Sequence, residues 1–281
     1  MLCWKRVVVL VPFLPLWLAQ TSCSTGSEKA KPGTPAFYWQ AARETFVKRD
    51  YLKTTEHLRR VIRTENEFSL RAQPWRLVVA NGLARTYIEL ANDFEMGAKA
   101  NIDAPFPLLK TMASYRTTAE TRALEFAETF LQWKKSPNDP EILLDFPFPS
   151  VPTTDTPLRQ KIQGGSLPSE GALPALEQRL MDLYVAEAAA AAVGAPGDLA
   201  KGRTLFQAGS AKVPREVFTL AMATAIYDQA QLFTREKMNK SDRLHLFCEQ
   251  GLEALKSIPE TTETKKLLGE FEKLAKTVEM R

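Results

Sequence analysis

The chain has 281 residues, of which 44% are hydrophobic and 25% are charged, so it can bury one large core or two modest ones. Its formal net charge is +4, and acidic and basic residues are interspersed rather than gathered into blocks. This distribution disfavours a nucleic-acid-binding protein, which typically carries a concentrated basic surface, and we expect no nucleic-acid partner.

The first 22 residues are typical of an export signal. The basic start "MLCWKR" precedes the run "VVVLVPFLPLWLA", whose 13 mostly apolar residues suit a signal core. A membrane-spanning helix needs roughly 20 such residues, and Pro12 and Pro15 also disfavour one. No later segment has the apolar length to span a membrane, so we expect a soluble body behind the signal.

Cys23 follows the apolar run in "LAQTSCSTGS", and its surroundings resemble a bacterial lipobox. Thr21 and Ser22 are small, as the lipobox requires, whereas Gln20 stands where an aliphatic residue is typical. We therefore predict a lipoprotein signal peptide over residues 1–22 and lipidation of Cys23, with a fatty acid such as palmitate.

Residues 23–34 are small, polar and charged, which predicts a flexible tether between the lipid and the folded domain. Ser24, directly after the cysteine, is compatible with onward transport to an outer membrane. Ordinary signal cleavage after Gly26 is the alternative to lipidation.

The two other cysteines bear on this choice. Cys3 would leave with the signal peptide, and acylation of Cys23 would leave Cys248 without a partner for an intrachain disulfide. Cys248 lies in "RLHLFCEQGL", an apolar helical context, and we predict that its thiol is buried.

Apolar residues recur at spacings of three and four after the tether, with no convincing run of strict alternation. The pattern predicts a single all-α domain over residues 35–281, built of antiparallel helical hairpins with about eight helices. Thr34 and Pro35 are a typical N-cap and first helical residue. Two short apolar stripes within residues 37–62 predict the first hairpin, because little chain separates them.

The N-terminal part, residues 35–135, is predicted to consist of such hairpins. One helix is expected to begin at Pro74. A longer one is expected to follow Pro107 and to run as far as Trp133, with the cleanest amphipathic pattern in the chain.

Residues 136–172 break the helical pattern, because eight of the chain's 18 prolines lie between Pro137 and Pro174. The stretch 142–151 nevertheless carries large apolar residues, and exposing each of them would cost roughly 1.5–3 kcal/mol relative to burial. We therefore predict a Pro-rich loop, free of helix, that is packed along the helices.

Helices are predicted to resume over residues 173–281. The segment "GAPGDLAKGRTLFQAGSAK" is interpreted as a loop, after which Pro214 should open a helix. Ser241 should cap the next helix, and a last one should run through Leu267 and Val278.

The first hairpin resembles a tetratricopeptide repeat, whose unit pairs two helices in about 34 residues. The likeness is carried by an aromatic and two small residues, an acidic–aromatic turn and two apolar positions on the second helix: Tyr38, Ala41, Ala42, Asp50, Tyr51, Leu58 and Val61. A second likeness places Tyr87 before a turn at Asp93–Phe94. Ala254 and Pro259 have the five-residue separation of the repeat.

The chain is thus similar to helical-repeat lipoproteins of bacterial envelopes, which include outer-membrane assembly lipoproteins and small lipoproteins attached to solute transporters. The resemblance implies a protein anchored through a lipid on Cys23, facing the periplasm, whose concave face holds partner proteins of the envelope. The alternative is a periplasmic solute-binding component, with a small-molecule ligand enclosed by the helices. Exposed aromatics on an open face would favour the first, and a cavity lined by Tyr, Trp and convergent charges the second.

Candidate catalytic and metal-binding residues are few, and we expect neither enzyme activity nor a cofactor or metal. His57 is interpreted as a partly exposed polar residue. His245 and Cys248 share a predicted helix face, but a metal site needs about four ligands. Asp93 and Glu95 point to different helix faces, which disfavours paired acid–base chemistry. "GAPGDLAKGR" lacks the GK[ST] ending of a phosphate-binding loop.

The aromatic residues Trp39, Trp75 and Trp133 lie at helical spacing, which is typical of core residues. The alternative is that one or two of them line a groove that receives a partner segment. In the free protein the apolar stretch 142–151 would then fill that groove; otherwise it is simply a packed cover.

Overall fold

The structure is a computed structural model that describes residues 30–137, 139–151, 156–169, 171–207 and 209–279. The predicted signal peptide over residues 1–22, the predicted lipidation site Cys23 and most of the predicted tether lie outside the described residues.

The described residues form ten α-helices and two short strands, so the prediction of a mostly helical chain is confirmed. In chain order the elements are α1 (Pro35–Val47), α2 (Tyr51–Val61), α3 (Ser69–Ala100), α4 (Phe106–Lys134), β1 (Glu141–Leu144), α5 (Thr156–Gln163), α6 (Ala172–Ala192), α7 (Leu199–Leu205), β2 (Ala211–Pro214), α8 (Arg215–Ala230), α9 (Ser241–Lys256) and α10 (Thr262–Glu279). One 3-10 turn, Gln231–Phe233, follows α8. The helices exceed the predicted eight because α5 and α7 lie in segments that were interpreted as loops.

Helices α1 and α2 form the predicted first hairpin. Thr34 caps α1, since its Oγ1 accepts a hydrogen bond of 3.3 Å from the amide of Phe37, and Pro35 is the first helical residue. Both features follow the sequence prediction. They satisfy one of the amides that a helix start leaves without a partner.

The turn between α1 and α2 depends on a residue in the left-handed region. Arg49 has a φ of 63°, which costs an ordinary residue roughly 1–2 kcal/mol. Its guanidinium donates to the carboxylate of Asp182 on α6 at 3.0 Å, and Asp50 then caps α2 by accepting from the amide of Lys53 at 3.2 Å. The turn is therefore held from two sides.

Helix α3 begins at Ser69, five residues before the predicted start at Pro74. The prediction was wrong because a turn of polar residues starts the helix first: the amide of Phe68 donates to Asn66 Oδ1 at 2.9 Å, and the amide of Asn66 donates to Ser69 Oγ at 3.2 Å. Pro74 then lies inside the helix and is buried. The proline removes one backbone hydrogen bond near the helix start without ending the helix.

Helix α3 lies at the centre of the fold, against α2, α4, α5, α6, α8 and β1. At two glycines its backbone meets a neighbouring backbone. A Cβ on Gly82 would lie 2.6 Å from the Cα of Val185 on α6, and a Cβ on Gly97 would overlap the carbonyl oxygen of Ile162 on α5. Only a residue without a side chain permits such close packing.

The Pro-rich middle segment contains two elements that the sequence did not predict. Strand β1 pairs antiparallel with β2, with Glu141 opposite Pro214 and Leu144 opposite Ala211. Helix α5 forms because Pro157 is its second residue, where a proline costs no hydrogen bond. The prediction of a helix-free segment over 136–172 was therefore wrong, as was the expectation of no strand.

Most large apolar residues of the stretch 142–151 are buried or partly buried, as predicted, although Leu143 is 36% exposed. Phe146 is fully buried, with its ring centroid 4.9 Å from that of Trp75, 5.0 Å from that of Trp39 and 5.1 Å from that of Phe46. Ile142 and Leu144 of β1 are also buried. The segment is thus part of the core that α1 and α3 form.

Several boundaries in the C-terminal part differ from the prediction. The segment interpreted as a loop after α6 contains α7 and ends in β2. Pro214 precedes α8 as its N-cap, and Ser241 is the first residue of α9 rather than its cap. Lys240 takes the cap position, and its ammonium donates to the carboxylate of Glu120 on α4 at 2.6 Å.

The second tetratricopeptide-like unit has no turn where the likeness required one. Asp93 and Phe94 lie within the unbroken helix α3, whose 32 residues exceed the length of a repeat helix. That part of the resemblance was wrong. The carboxylate of Asp93 accepts hydrogen bonds from Arg159 and Gln163 of α5 and does not belong to a turn.

Phe146→Ala is expected to lower the free energy of unfolding by about 3–5 kcal/mol, because it removes a buried ring and leaves a cavity among three aromatic neighbours. Urea unfolding followed by far-UV circular dichroism measures the change. Phe106→Ala is the matched control, since Phe106 is 74% exposed; its effect is expected to stay within about 0.5 kcal/mol. Equal effects of the two substitutions would contradict the burial of Phe146.

Candidate functional site

The three tryptophans that were candidates for a binding groove are all buried. Trp75 is fully buried, and Trp39 and Trp133 are 5% and 2% exposed. Phe146 occupies the space between Trp39 and Trp75, so in this structure the two rings belong to the core. The core interpretation of these residues is confirmed.

The histidines lie apart from any cluster of ligands. His57 is partly buried on α2, with its ring centroid 6.2 Å from that of Tyr38. Burial lowers the pKa of His57, so the ring is neutral at pH 7. His245 is exposed, and its Nε2 lies 3.1 Å from Glu249 Oε1.

Cys248 is buried, as predicted, and is 1% exposed. Burial raises the pKa of its thiol to about 11, so the group is protonated and unreactive at neutral pH. Because His245 is exposed on the same helix, the two side chains do not converge. Within the residues that the structure describes, no group of three or more His, Cys, Asp or Glu could hold a metal ion.

Asp93 and Glu95 point to different partners, as their spacing predicted. Asp93 is 1% exposed and accepts hydrogen bonds of 2.6 Å from Arg159 Nε and from Gln163 Nε2, both on α5. These contacts join α5 to α3. Asp93 is thus a structural residue in a charge-assisted network.

Glu95 joins α3 to α4 and to the segment before α9. Its carboxylate accepts from Lys237 Nζ at 2.6 Å, from Lys99 Nζ at 2.8 Å and from Arg116 at 2.9 Å. Burial by itself raises the pKa of Glu95. The hydrogen bonds from Lys237 and Lys99, with the charges of Lys237 and Arg116, lower the pKa by more than burial raises it. The result is a pKa of about 2.

Glu95→Gln is expected to remove a pH-dependent part of the stability. The folded pKa lies below the unfolded value of 4.5, so the ionised carboxylate stabilises the fold above pH 4.5 and ceases to do so as the pH falls towards 2. Urea unfolding at pH 7 should show a loss of about 1–2 kcal/mol, after a discount for solvent screening. Near pH 2 the variant and the wild type should converge.

Glu272→Gln is the control for this measurement, because Glu272 is exposed on α10 and has no ion pair among the described residues. It should follow the wild type at every pH. A difference between Glu95→Gln and the wild type that persisted unchanged to pH 2 would contradict the electrostatic explanation.

The glycine-containing segment "GAPGDLAKGR" is a helix start that is already capped. Gly194 and Gly197 have φ values of 78° and 76°, and Asp198 Oδ1 accepts from the amide of Lys201 at 2.9 Å. A carboxylate therefore occupies the start of α7. The arrangement is that of an N-cap rather than of an anion site.

Three large apolar side chains within or just after the connection of residues 101–105 between α3 and α4 are exposed. Ile102 is 83% exposed, Phe106 74% and Leu109 41%. Leu167, from the segment after α5, is 54% exposed and lines the same groove as Pro107. We call Ile102, Phe106, Leu109 and Leu167 the hairpin tip. Several exposed apolar residues near one connection are a candidate interaction surface, whereas exposed apolar residues scattered singly are ordinary.

The hairpin tip is held in place by side-chain hydrogen bonds. Asn101 Nδ2 donates to the carbonyl of Gly165 at 3.0 Å, and Asn101 Oδ1 accepts from the amide of Ala104 at 3.0 Å. One asparagine thus fixes the α3–α4 connection and ties it to the segment that carries Leu167.

A groove of about 530 Å³ adjoins the hairpin tip. Tyr115 OH donates to Glu177 Oε1 at 2.6 Å within it, and burial together with this bond raises the pKa of Tyr115. The lining combines apolar, hydroxyl and charged groups from α4, α6 and the segment before α6: Pro107, Lys110, Thr111, Ser114, Tyr115, Leu167 and Glu177.

This surface was not among the predictions from sequence. The stretch "NIDAPFP" places Ile102 and Phe106, two large apolar residues, in a Pro-containing connection. A connection is normally polar and on the surface. Apolar residues there were the available signal.

A scan against protein-family models and searches of curated proteins and of solved structures found no match to this chain. None of the helices in the described ranges has both the length and the apolar character needed to cross a membrane. Function is therefore inferred from the chain's own residues.

Proposed function

We propose that the chain is a lipoprotein of a bacterial envelope, anchored through Cys23, whose helical domain binds envelope proteins on the periplasmic side of the membrane. The hairpin tip is the observation that supports the scaffold role. The lipid anchor and the location are supported by the sequence of residues 1–34.

Burial of the hairpin tip by a partner would contribute favourable free energy to binding. Covering a large apolar side chain contributes about 1.5–3 kcal/mol, and Ile102 and Phe106 are both mostly exposed. A partner that buries both would gain about 3–6 kcal/mol from them before the costs of association.

The hairpin tip is also ordered before binding. It stands at the ends of two long helices that pack together, and Asn101 holds their connection. A surface that is already fixed loses little conformational entropy when a partner binds. This property suits a scaffold.

The groove beside the hairpin tip indicates the chemistry of the partner segment. Leu167 and Pro107 provide apolar walls, while Lys110 and Glu177 provide one charge of each sign. An interface of this kind has an apolar centre and a polar rim. We infer that the partner inserts an apolar side chain flanked by polar groups.

A photo-crosslinking amino acid placed at position 106 of the full-length lipoprotein should capture a specific envelope protein in intact cells. Mass spectrometry of the crosslinked band identifies the partner. Position 47 is the matched control, because Val47 on α1 is 66% exposed and lies on another element. Capture at 106 and not at 47 is expected.

Equal capture at both positions would show non-specific contact and would contradict the hairpin tip as the binding surface. Capture of no protein, together with a small molecule that co-purifies with the chain, would favour the solute-binding alternative.

Metabolic labelling with a radioactive fatty acid should mark the wild type and leave Cys23→Ala unlabelled. Cys248→Ala is the matched control, because Cys248 is buried and is expected to have no part in acylation. It should remain labelled. An unlabelled wild type would overturn the lipid anchor and favour ordinary cleavage.

A further inference from the structure

A second cavity, of about 560 Å³, lies between α2, α3 and α4, and it does not adjoin the hairpin tip. Its lining is strongly basic. Four arginines face it against a single acid, so the lining carries a net charge of three positive. The residues are Arg59, Arg60, Arg63, Arg76 and Glu128, with Ile62 and Gln132 beside them.

Arg76 forms the buried part of this arginine pocket. It is 4% exposed on α3, and its guanidinium has no hydrogen bond or ion pair with any residue that the structure describes. A buried charge without a partner is costly, and natural proteins usually pair it. Burial lowers the pKa of Arg76, and the charges of Glu128 and Glu125 offset this only in part.

The other arginines leave most of their donors free. Arg60 donates to the hydroxyl of Tyr38 at 3.0 Å and lies over its ring. Arg59 and Arg63 are exposed and make no hydrogen bond or ion pair within the described ranges. The guanidinium groups of Arg59 on α2, Arg63 just after α2 and Arg76 on α3 therefore make no hydrogen bond or ion pair with a carboxylate of the described residues, although the charge of Glu128 acts on Arg76.

We propose that the arginine pocket is a binding site for a phosphate-bearing ligand, held by Arg76 from within and by Arg59 and Arg63 at the opening. Planar guanidinium groups bind phosphate oxygens through paired hydrogen bonds. A net lining charge of three positive suits a ligand with two or three negative charges. This site is independent of the proposed scaffold function.

The size of the cavity constrains the ligand further. Small-molecule sites typically measure about 300–1,000 Å³, and a single phosphate ion is far smaller than that. The ligand therefore carries a second phosphate or an organic group. Gln132 and Ile62 provide an amide and an apolar contact for that group. A free phosphorylated molecule and a phospholipid headgroup share this chemistry.

The carboxylate of Glu128 gives the pocket its selectivity. On the α4 side of the pocket, the negative charge of Glu128 repels an anionic ligand. When the pocket is empty, the same charge stabilises the guanidinium of Arg76. For a ligand with a single negative charge, the attraction to the arginines exceeds the repulsion from Glu128 by little. A di- or trianion engages all the arginines and outweighs the repulsion.

The test is a calorimetric titration of the full-length protein with inorganic pyrophosphate at low ionic strength. Saturable binding with one site per chain is expected. Arg76→Met should weaken it by about 10-fold or more, and Arg63→Gln by several-fold, because each removes charge-assisted hydrogen bonds. Arg235→Gln, at an exposed arginine outside the pocket, should leave binding unchanged.

A parallel arm distinguishes the two sources of phosphate. Sedimentation with vesicles that contain phosphatidic acid is compared with sedimentation with pure phosphatidylcholine vesicles, so that any binding through the lipid anchor cancels. A gain with phosphatidic acid that Arg76→Met and Arg63→Gln both abolish, without pyrophosphate binding, would identify a lipid headgroup as the ligand.

Folding of the variants is checked by urea unfolding. Arg76→Met should not lower the stability of the free protein appreciably, since an apolar side chain replaces a buried guanidinium that makes no hydrogen bond or ion pair with the described residues. Arg63 is exposed, so Arg63→Gln tests the pocket even where Arg76→Met fails to fold. The absence of binding in both arms, or binding that neither substitution weakens, would overturn the proposal.

Discussion

Helix α3 meets its neighbours at the level of the backbone, at Gly82 against α6 and at Gly97 against α5. Such contacts leave no space for adjustment, because no flexible side chain lies between the two backbones. The position of α5 is then fixed a second time by the bonds from Arg159 and Gln163 to Asp93. Both proposed sites depend on this one helix: Arg76 lies in its N-terminal part, and Ile102 lies two residues beyond its end.

The parts of the fold that sequence could predict are those in which one face of a helix is apolar. The α1–α2 hairpin and α4 follow that pattern, and Thr34 caps α1 as its chemistry requires. The start of helix α3 was harder to predict, because the helix is buried on most sides. Its apolar residues are therefore consecutive, as Leu77, Val78 and Val79 are. A helix of this kind shows little periodicity.

The strands could not be predicted from local sequence. Each has four residues, and "EILL" carries three consecutive apolar residues that hide the alternation of its burial. The pairing of β1 with β2 joins segments about 70 residues apart, and only tertiary structure brings them together. Helix α5 lies in a segment whose many prolines disfavour a helix, but Pro157 is its second residue, where proline favours a helix start.

The candidate sites depended on information that a sequence does not carry. Trp39 and Trp75 are ordinary candidates for a groove until Phe146 is seen between them. Conversely, Arg76 is an ordinary residue of an apolar helix until its burial, without a hydrogen bond to any described residue, is known. Exposure of an apolar residue and burial of a charged one both arise from the packing of distant elements. Only the proposed lipidation of Cys23 rests on a stretch of consecutive residues.

The pairing of β1 with β2 has a consequence for the order of folding. The two strands close a loop of about 70 residues that contains α5, α6 and α7, and the entropy lost on closing such a loop is on the order of 4 kcal/mol. A ladder of four residue pairs offsets little of this by itself. We therefore expect the strands to pair only after α6 has packed on α3. In hydrogen exchange, the strand amides should then lose protection before those of α3.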